Sequence, residues 1–430
     1  MKLRIAAVLS LALCTMLCAN ARAQSAVVER DGGLTIIRQQ DPAATLVHAS
    51  FIIRAGLDRE TLTQNGIAAL TAQTVLKTPV DGVPLQDAIA AKGGSIAAFV
   101  DSNDVRFAIE ALPQEADAVF ALAQRGISAP SFTPKTVDAA RVALTTQIAQ
   151  NQQEALQVGL DMLYGTRAST ANTGLPSLGI PASLAQLGPN DVQTFYRAYY
   201  RQGGSTISAV GRIDALAPQA LANLASGLAP GSSTAVSVTL PKLEGTSRQL
   251  VAHRDIAAPW LIAQYPAPAV GNKDFGAMLV LAAFMQRTLA DMAEVPGVVS
   301  PTFASRAIGA LYQYDRSQPN LTLYVNGGIG NPNRAFGAAL SIASILATTK
   351  LEGSIDEFKA QAAGDFSNGV STLESRAWLA AVFVENGQSP DYVSQTLAAI
   401  AATNGSDLQR VARAYLGSPT IALVLPRDKQ

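Results

Sequence analysis

The chain has 430 residues with 32 basic and 32 acidic side chains, and 48% of its residues are hydrophobic while only 15% are charged. This composition is typical of a packed globular protein and excludes an intrinsically disordered chain. Charges of both signs are scattered along the sequence without a concentrated basic face, which argues against nucleic acid or an anionic membrane surface as a partner. The length allows two or three domains of ordinary size.

The first 23 residues have the three parts of a secretory signal peptide. Lys2 and Arg4 precede an apolar run over residues 5–18, and Ala-Arg-Ala at residues 21–23 forms a small-residue cleavage site. The run is too short to span a bilayer comfortably, so we expect an exported, soluble protein, periplasmic or secreted, with no membrane anchor. Both cysteines lie inside this segment, and its removal leaves 29 basic against 32 acidic residues and no thiol.

Strand-like and helix-like segments alternate through the first half of the chain. Turn-forming residues separate them, as at Thr78-Pro79 and Gly93-Gly94. The predicted strands cover residues 26–38, 44–54, 95–100, 105–112 and 205–210, and the predicted helices cover 66–76, 84–92, 114–126, 136–164 and 189–201. This order favours an α+β layer sandwich.

The second half repeats the end of the first. Residues 191–200 align with residues 407–416 at an offset of 216, and Asp, Gln, Arg, Ala and Tyr recur in register. A similar strand follows each of these two helices. The repeat predicts an internal duplication with two homologous α/β-sandwich domains. The expected segments are a signal peptide at 1–23, an N-terminal domain at 24–228, a Pro- and Gly-rich linker at 229–245 and a C-terminal domain at 246–430.

Residues 54–73 carry the sequence frame of a known enzyme family. Arg54-Ala55-Gly56 ends a predicted strand, acidic residues follow it, and Gly66-Ile67-Ala68 opens a predicted helix. This arrangement resembles the metal-binding region of the pitrilysin/insulinase-type zinc peptidases, in which Arg-Ala-Gly, an acidic residue and Gly-Leu-Ala lead into a helix with His-x-x-Glu-His. The likeness continues through residues 173–176 to 209–214. The resemblance implies a two-domain metallopeptidase fold over nearly the whole mature chain.

At the reactive positions the chain departs from that family pattern. The resemblance places Ala69 and Gln73 where the two zinc-binding histidines stand, and Ala72 where the general-base glutamate stands. Gln147 occupies the position of a later glutamate that completes the ligand set. Histidines four positions apart on a helix hold one zinc ion, and the glutamate polarises the zinc-bound water. We therefore expect no bound zinc, no other cofactor and no catalytic residue.

The second domain shows a similar but looser loss. Active members of the family use an Arg and a Tyr from this domain to position the substrate. Ala293 and Ser300 stand in those two places in the best-matching segment. Four nearby residues could replace the lost pair, and these are Arg287, Arg306, Tyr312 and Tyr314.

Other kinds of site find little support. His48 and His253 are the histidines of the chain, and neither has a second histidine at ligand spacing, so both are expected to be strand residues with ordinary hydrogen bonds. Asp101 and Asp104 flank a polar turn, for which turn formation is the simpler role. No Gly-x-Ser-x-Gly motif occurs, and the glycine-rich residues 327–330 lack the Lys-Ser/Thr of a phosphate loop.

The sequence thus predicts a catalytically inactive homologue of an insulinase-type zinc peptidase. In the first hypothesis it is the non-catalytic subunit that partners a homologous zinc-bearing peptidase and helps to bind extended peptides against a sheet edge. In the alternative it is a stand-alone periplasmic peptide-binding or scaffold protein, a homodimer, without proteolysis. A third interpretation, an active metallopeptidase with unrecognised ligands, requires tight stoichiometric zinc.

Overall fold

Two mixed β-sheets, one from each half of the chain, form the framework of the protein. The computed structural model describes residues 26–166, 175–232, 248–293, 308–314, 319–327, 337, 340–342, 344–346 and 355–427. The predicted signal peptide and residues 233–245 of the predicted linker lie outside these ranges. None of the helices within the ranges has both the length and the apolar character needed to cross a membrane.

The strands and helices follow the alternation that the sequence predicts. The first-half strands are β1 (Val27–Asp31), β2 (Leu34–Gln40), β3 (Val47–Ile53), β4 (Pro79–Val80), β5 (Val83–Pro84), β6 (Ser95–Val100), β7 (Val105–Ala111), β8 (Arg201–Gly203), β9 (Thr206–Gly211) and β10 (Ala229–Ser232). The first-half helices are α1 (Ile67–Lys77), α2 (Leu85–Ala90), α3 (Ala116–Ser128), α4 (Pro134–Asn151), α5 (Ala155–Gly165), α6 (Pro181–Leu184), α7 (Pro189–Tyr199) and α8 (Ala220–Ser226). The second-half elements are β11 (Arg248–Arg254), β12 (Trp260–Pro266), α9 (Phe275–Ala293), β13 (Ile308–Gln313), β14 (Asn320–Asn326), α10 (Asp356–Gly369), α11 (Leu373–Glu385), α12 (Tyr392–Ala402), α13 (Gly405–Tyr415) and β15 (Thr420–Pro426).

The two sheets have equivalent strand orders, except that the first has β1 as an additional edge strand. The first has the order β1-β2-β9-β3-β7-β6 and the second has the order β11-β15-β12-β14-β13. In both, the last strand of the half lies inside the sheet, parallel to one neighbour and antiparallel to the other. Helices α7 and α13 precede these strands and share a cap, in which Asp191 and Asp407 accept a backbone N–H from Gly188 and Asn404. The α+β fold and the internal duplication are therefore confirmed.

Two predicted segments are wrong in detail. Residues 27–40 form the β1–β2 hairpin rather than one strand, because Gly32 and Gly33 adopt φ of 56° and 92° and reverse the chain. β9 lies between β2 and β3, so these two consecutive strands do not pair with each other. The helix predicted over 136–164 is two helices, α4 and α5, with the break at residues 152–154. In the predicted linker, residues 229–232 form β10, which pairs with β8.

Helix α1 is held in place at its N-terminus. Gly66 has φ of 96°, and a Cβ there would lie 2.8 Å from the Cα of Gly179, so the position requires glycine. The carboxylate of Glu60 accepts a hydrogen bond from Asn65 Nδ2 at 2.8 Å. It also accepts from the backbone N–H of Gly66 and of Ala68, each at 3.0 Å. Burial raises the pKa of Glu60 to about 7, and these hydrogen bonds oppose that rise.

Each half of the chain covers one face of the other half's sheet. Helix α11 of the second half packs on β3 and β9, while helix α5 of the first half packs on β12 and β15. Along β3, Phe51 faces the core of its own half, whereas Ile52 belongs to the core of the second half. Helix α5 approaches the second sheet closely at Gly159, where a Cβ would lie 2.4 Å from Cδ1 of Ile262. A site between the halves is therefore built by both.

Candidate functional site

The four positions of the lost zinc motif meet in one cavity. Helices α1 and α4 pack against each other, and a cavity of about 390 Å³ opens beside their contact. Ala69, Ala72 and Gln73 of α1 line it, as does Gln147 of α4. With the buried side chain of Leu144, the two alanines form an apolar floor. The structure thus brings together all four positions that the resemblance identified on the first half.

The side chains at this cavity do not fit a zinc ion. A catalytic zinc needs three protein donors such as two histidines and a carboxylate, and here methyl groups and carboxamides occupy the equivalent positions. No group of three or more His, Cys, Asp or Glu side chains within the described residues is placed to hold a metal ion. His48 is buried on β3, and burial lowers its pKa to about 4. His253 lies on the other sheet, with Nδ1 at 3.3 Å from the carbonyl oxygen of Pro426.

Strand β6 borders the cavity and ends the first sheet. Ala98, Phe99 and Val100 line the cavity, and no strand of the described chain pairs with the outer edge of β6. The backbone N–H of Asp101 donates to the carbonyl oxygen of Asp104 at 2.8 Å, so these two residues form a hydrogen-bonded pair. Because such pairs alternate along an antiparallel ladder, the N–H groups of Ala98 and Val100 point towards the open edge. An extended chain could pair with them there.

A second cavity, of about 340 Å³, adjoins the first. The two share Val100, Asp101, Gln157, Ser177 and Trp378. The second cavity has a wall of acidic and aromatic side chains, which are Asp161, Tyr164, Tyr312, Tyr314 and Trp378. The hydroxyl of Tyr164 donates to Oε1 of Gln313 at 2.6 Å and thereby joins α5 to β13 across the halves.

The residues that the sequence suggested as replacements for the Arg/Tyr pair do not all lie at the cavities. Tyr312 and Tyr314 line the second cavity. Arg287 forms exposed ion pairs with Asp291 and Glu357 and lines neither cavity. Ala293 is the last residue of α9. Ser300 and Arg306 lie outside the described residues.

Arg106 of β7 forms part of the wall between the first sheet and α11. Its guanidinium lies 4.2 Å from the ring centroid of Phe99 and 5.8 Å from that of Trp378. Its Nη1 also lies 3.0 Å from Oε1 of Glu374. Ring faces attract cations, and the carboxylate pairs the charge, so Arg106 is already satisfied within the wall.

Three residues of the cavity wall, Phe99, Arg106 and Trp378, were not predicted from the sequence. Phe99 and Arg106 are direct cross-strand partners at equal distances from the predicted turn at 101–104, so an aromatic–cation pair could have been predicted from the hairpin. Trp378 had no such local pattern, because its place at the cavity depends on how α11 docks on the first half.

A buried ion cluster joins the two halves. Nη1 of Arg54 lies 2.9 Å from Oδ1 of Asp104, and Nη2 lies 3.1 Å from Oε2 of Glu385 on α11. The side chains of Arg54, Asp104 and Glu385 are only 19%, 15% and 7% exposed. Burial raises the pKa of Asp104, Arg54 opposes this rise, and the nearby Glu385 adds to it. Burial also raises the pKa of Glu385. One arginine thus faces two carboxyl groups at the contact between the halves.

The Asp104→Asn variant is expected to lose less stability than the wild type as the pH rises. The unfolded chain releases the proton of Asp104 near pH ~4. The folded protein retains it to higher pH because burial raises the pKa. The stabilising contribution is therefore full below the unfolded pKa and is lost as the pH rises through the folded pKa. Melting temperatures across this range should fall less steeply for the variant than for the wild type.

The control for this measurement is Asp138→Asn, which alters an exposed i,i+3 pair with Arg141. This control should leave the pH slope of the melting temperature unchanged, since an exposed pair contributes little. An unchanged slope in Asp104→Asn as well would contradict the assignment of a retained proton to the cluster.

Comparison with known proteins finds a family match over the region that contains the first cavity. The family described as Insulinase (Peptidase family M16) matches residues 35–179, which include α1, β6 and α4 and therefore most of the first cavity. No curated protein matches the sequence significantly.

Solved structures share the fold. A protease from Helicobacter pylori has a TM-score of 0.78 at 15% identity, with 94% of this chain and 100% of that chain covered. The peptidase M16 inactive domain from Pseudomonas fluorescens has a TM-score of 0.76 at 11% identity, with 94% and 98% covered. The periplasmic protease PqqL from Escherichia coli has a TM-score of 0.70 at 16% identity, with 94% of this chain but 48% of that chain covered. Residues 35–179 thus match the insulinase family, peptidase family M16, and the chain as a whole shares its fold with these solved structures.

Proposed function

We propose that this chain is a non-catalytic M16 protein that binds extended peptides between its halves and works beside a homologous zinc-bearing partner. One observation carries the proposal. The four reactive positions of the family converge on a cavity beside an open sheet edge, and they hold two alanines and two glutamines. The cavity and the open sheet edge could hold a peptide, but the side chains at the reactive positions could not cleave it.

The chemistry of the first cavity supports binding rather than hydrolysis. Peptide hydrolysis by this family requires a metal that activates water and a carboxylate that takes its proton. Ala72 offers a methyl group at the general-base position, and Gln73 and Gln147 offer neutral amides at ligand positions. Neutral amides donate and accept hydrogen bonds, so they hold polar groups without activating them.

The open edge of β6 and the second cavity support an extended peptide as the ligand. A peptide that adds a strand to β6 would pair its backbone with the N–H groups of Ala98 and Val100 and place alternate side chains towards the cavities. In the second cavity, Asp161 lies among the rings of Tyr164, Tyr312 and Trp378. Burial raises the pKa of Asp161, so a basic side chain there would restore its charge.

The chain length of a structural neighbour supports a partner of similar size to this chain. This chain covers 48% of the periplasmic protease from Escherichia coli, so a comparable length of chain accompanies the matching unit in that protein. A separate zinc-bearing relative would supply the equivalent of that second unit. The periplasmic location of the neighbour also agrees with the predicted signal peptide, and we propose export to the periplasm.

The partner is tested by mild affinity purification of the protein from its own host, with bound chains identified by mass spectrometry. Recovery of a homologue with His-x-x-Glu-His at one-to-one stoichiometry would support the proposal. Recovery of only this chain, or of an unrelated envelope protein, would contradict it and favour the stand-alone binding or scaffold protein.

Ala98→Pro is expected to weaken peptide binding at least about tenfold without unfolding the protein. The outward N–H of Ala98 would be lost, at a cost of about 0.5–1.5 kcal/mol, and the proline ring would hinder the approaching strand. An edge strand tolerates proline where the N–H faces away from its neighbour. Fluorescence anisotropy with a pool of labelled random-sequence peptides measures the binding.

The matched control is Ala98→Gly, which also changes the backbone at this position but keeps the N–H. It should bind the peptide pool within about threefold of the wild type, because glycine costs less than one hydrogen bond at an edge. Equal binding by the proline and glycine variants would show that peptides do not add to β6.

A further inference from the structure

The place left by the zinc site is lined by neutral carboxamides. Gln73 of α1, Gln147 and Asn151 of α4, and Gln157 of α5 all border the first cavity. The side-chain amides of Gln73, Gln147 and Asn151 make no hydrogen bond within the part of the chain that the structure describes. Nε2 of Gln157 donates to Oδ1 of Asp161 at 2.8 Å, which orients its amide. Three helices thus direct amide groups to one space.

The rest of the cavity wall is apolar or already paired. Ala69, Ala72 and Leu144 are 2%, 1% and 1% exposed and form a floor without polar atoms. Arg106 is paired with Glu374 and stacked on two rings. Asp101 lies at the exposed mouth, where water screens its charge. The interior therefore contains no unpaired charge to attract an ionic group.

We propose that this cavity is a specificity pocket for a carboxamide side chain, glutamine or asparagine, of a bound extended peptide. This inference rests on the proposed function and names the side chain that the peptide presents to the lost zinc site. A carboxamide donates hydrogen bonds through its NH₂ group and accepts them through its carbonyl oxygen, so it complements the amides of Gln73 and Gln147. Its methylene groups would lie on the alanine floor.

Other side chains fit this pocket less well. A carboxylate or an ammonium group would enter a neutral pocket without an opposite charge and would lose its hydration. A leucine or methionine of similar volume would cover the amides without pairing them, which costs more than an absent contact. The pocket therefore distinguishes glutamine from both its charged and its apolar isosteres.

The test selects binding peptides from a random-sequence peptide library and reads the residue frequencies at each position. The wild-type protein should enrich glutamine or asparagine at one position of the peptides. Replacement of that residue by methionine or glutamate in one selected peptide should weaken binding about tenfold or more, as expected for two lost hydrogen bonds. Anisotropy of the labelled peptides gives the ratio.

Two variants change the pocket in different ways. Gln147→Glu places a carboxylate at an exposed position of α4 and should shift the enrichment from carboxamides to lysine or arginine. Ala72→Leu fills the floor and should abolish the enrichment while peptides still bind. Because Ala72 is buried and its variant could fail to fold, the Gln147→Glu result is sufficient by itself.

The outcomes separate this inference from the function on which it rests. Peptides that bind without any carboxamide preference, or a preference that Gln147→Glu leaves unchanged, would overturn the inference and leave peptide binding in place. A library that yields no binding peptide would overturn both. A carboxamide preference that moves to basic residues in the variant would support both.

Discussion

A variant with Ala69→His, Gln73→His and Gln147→Glu is expected to bind one zinc ion per chain, whereas we expect no zinc in the wild type. The three positions line one cavity, and α1 places the first two four residues apart on one face. Two histidines and a glutamate are a complete ligand set for a catalytic zinc. Loss of an outer-shell partner alone costs about 10- to 100-fold in metal affinity. The triple variant should therefore bind zinc at least about 100-fold more tightly than the variant with the two histidines alone.

Isothermal titration and metal analysis after dialysis measure this affinity. A matched control replaces Gln147→Glu by Thr146→Glu, which adds the same charge at the preceding, exposed position of α4. If the folded triple variant binds zinc no more tightly than this control, the family's ligand geometry is not preserved in the cavity.

Addition of Ala72→Glu to the triple variant should produce cleavage of bound peptides that a chelator abolishes. The zinc would lower the pKa of its water to about 7, and the new carboxylate would accept the proton. Product formation followed by mass spectrometry is the measurement. If the variant binds both zinc and peptide without cleavage, the predicted loss of the second-domain Arg and Tyr would account for the absent chemistry.

Arg54→Met is expected to lower the free energy of unfolding by about 3–5 kcal/mol, because it leaves two buried carboxyl groups without their cation. Asp104 and Glu385 are 15% and 7% exposed, so water compensates little for the lost charge. The loss should shrink in acid, where both carboxyl groups carry protons in the folded and the unfolded chain. Urea denaturation at acid and at neutral pH measures both effects.

Arg287→Met provides the control for the loss of an arginine. Arg287 is 51% exposed and pairs with Asp291 and Glu357 on the surface, so its loss should cost less than about 1 kcal/mol. Equal losses for the two variants would show that the cluster at Arg54 has no special role. A partial rescue of Arg54→Met by Asp104→Asn would identify the unpaired carboxyl group as the cause.

The four motif positions were predicted from the resemblance of residues 54–73 and 142–148 to the insulinase-type frame. The four-residue spacing of Ala69 and Gln73 on a helix fixes their common face before any tertiary contact is known. The chain reversal at Gly32-Gly33, where both residues have positive φ, was not predicted. Two short strands and one long strand have the same hydrophobic alternation, so the pattern alone did not separate β1 from β2.

The contacts between the halves could not be predicted from local patterns. Trp378 reaches the cavities and Glu385 reaches Arg54 only because α11 packs on the sheet of the other half. An amphipathic helix pattern shows that one face is buried, but it does not say which sheet buries it. The break at residues 152–154 has the same origin, since α5 leaves the line of α4 to cover the second sheet.

The sequence by itself determined the α+β class and the duplication, because these depend on periodicity and spacing along the chain, and its resemblance to a known frame predicted the four reactive positions. Only the tertiary structure decided that those positions share a cavity with Trp378, that β6 presents an open edge beside it, and that Arg54 links the halves. These features depend on contacts between residues far apart in sequence. Such contacts follow from the packing of whole elements, which no short segment encodes.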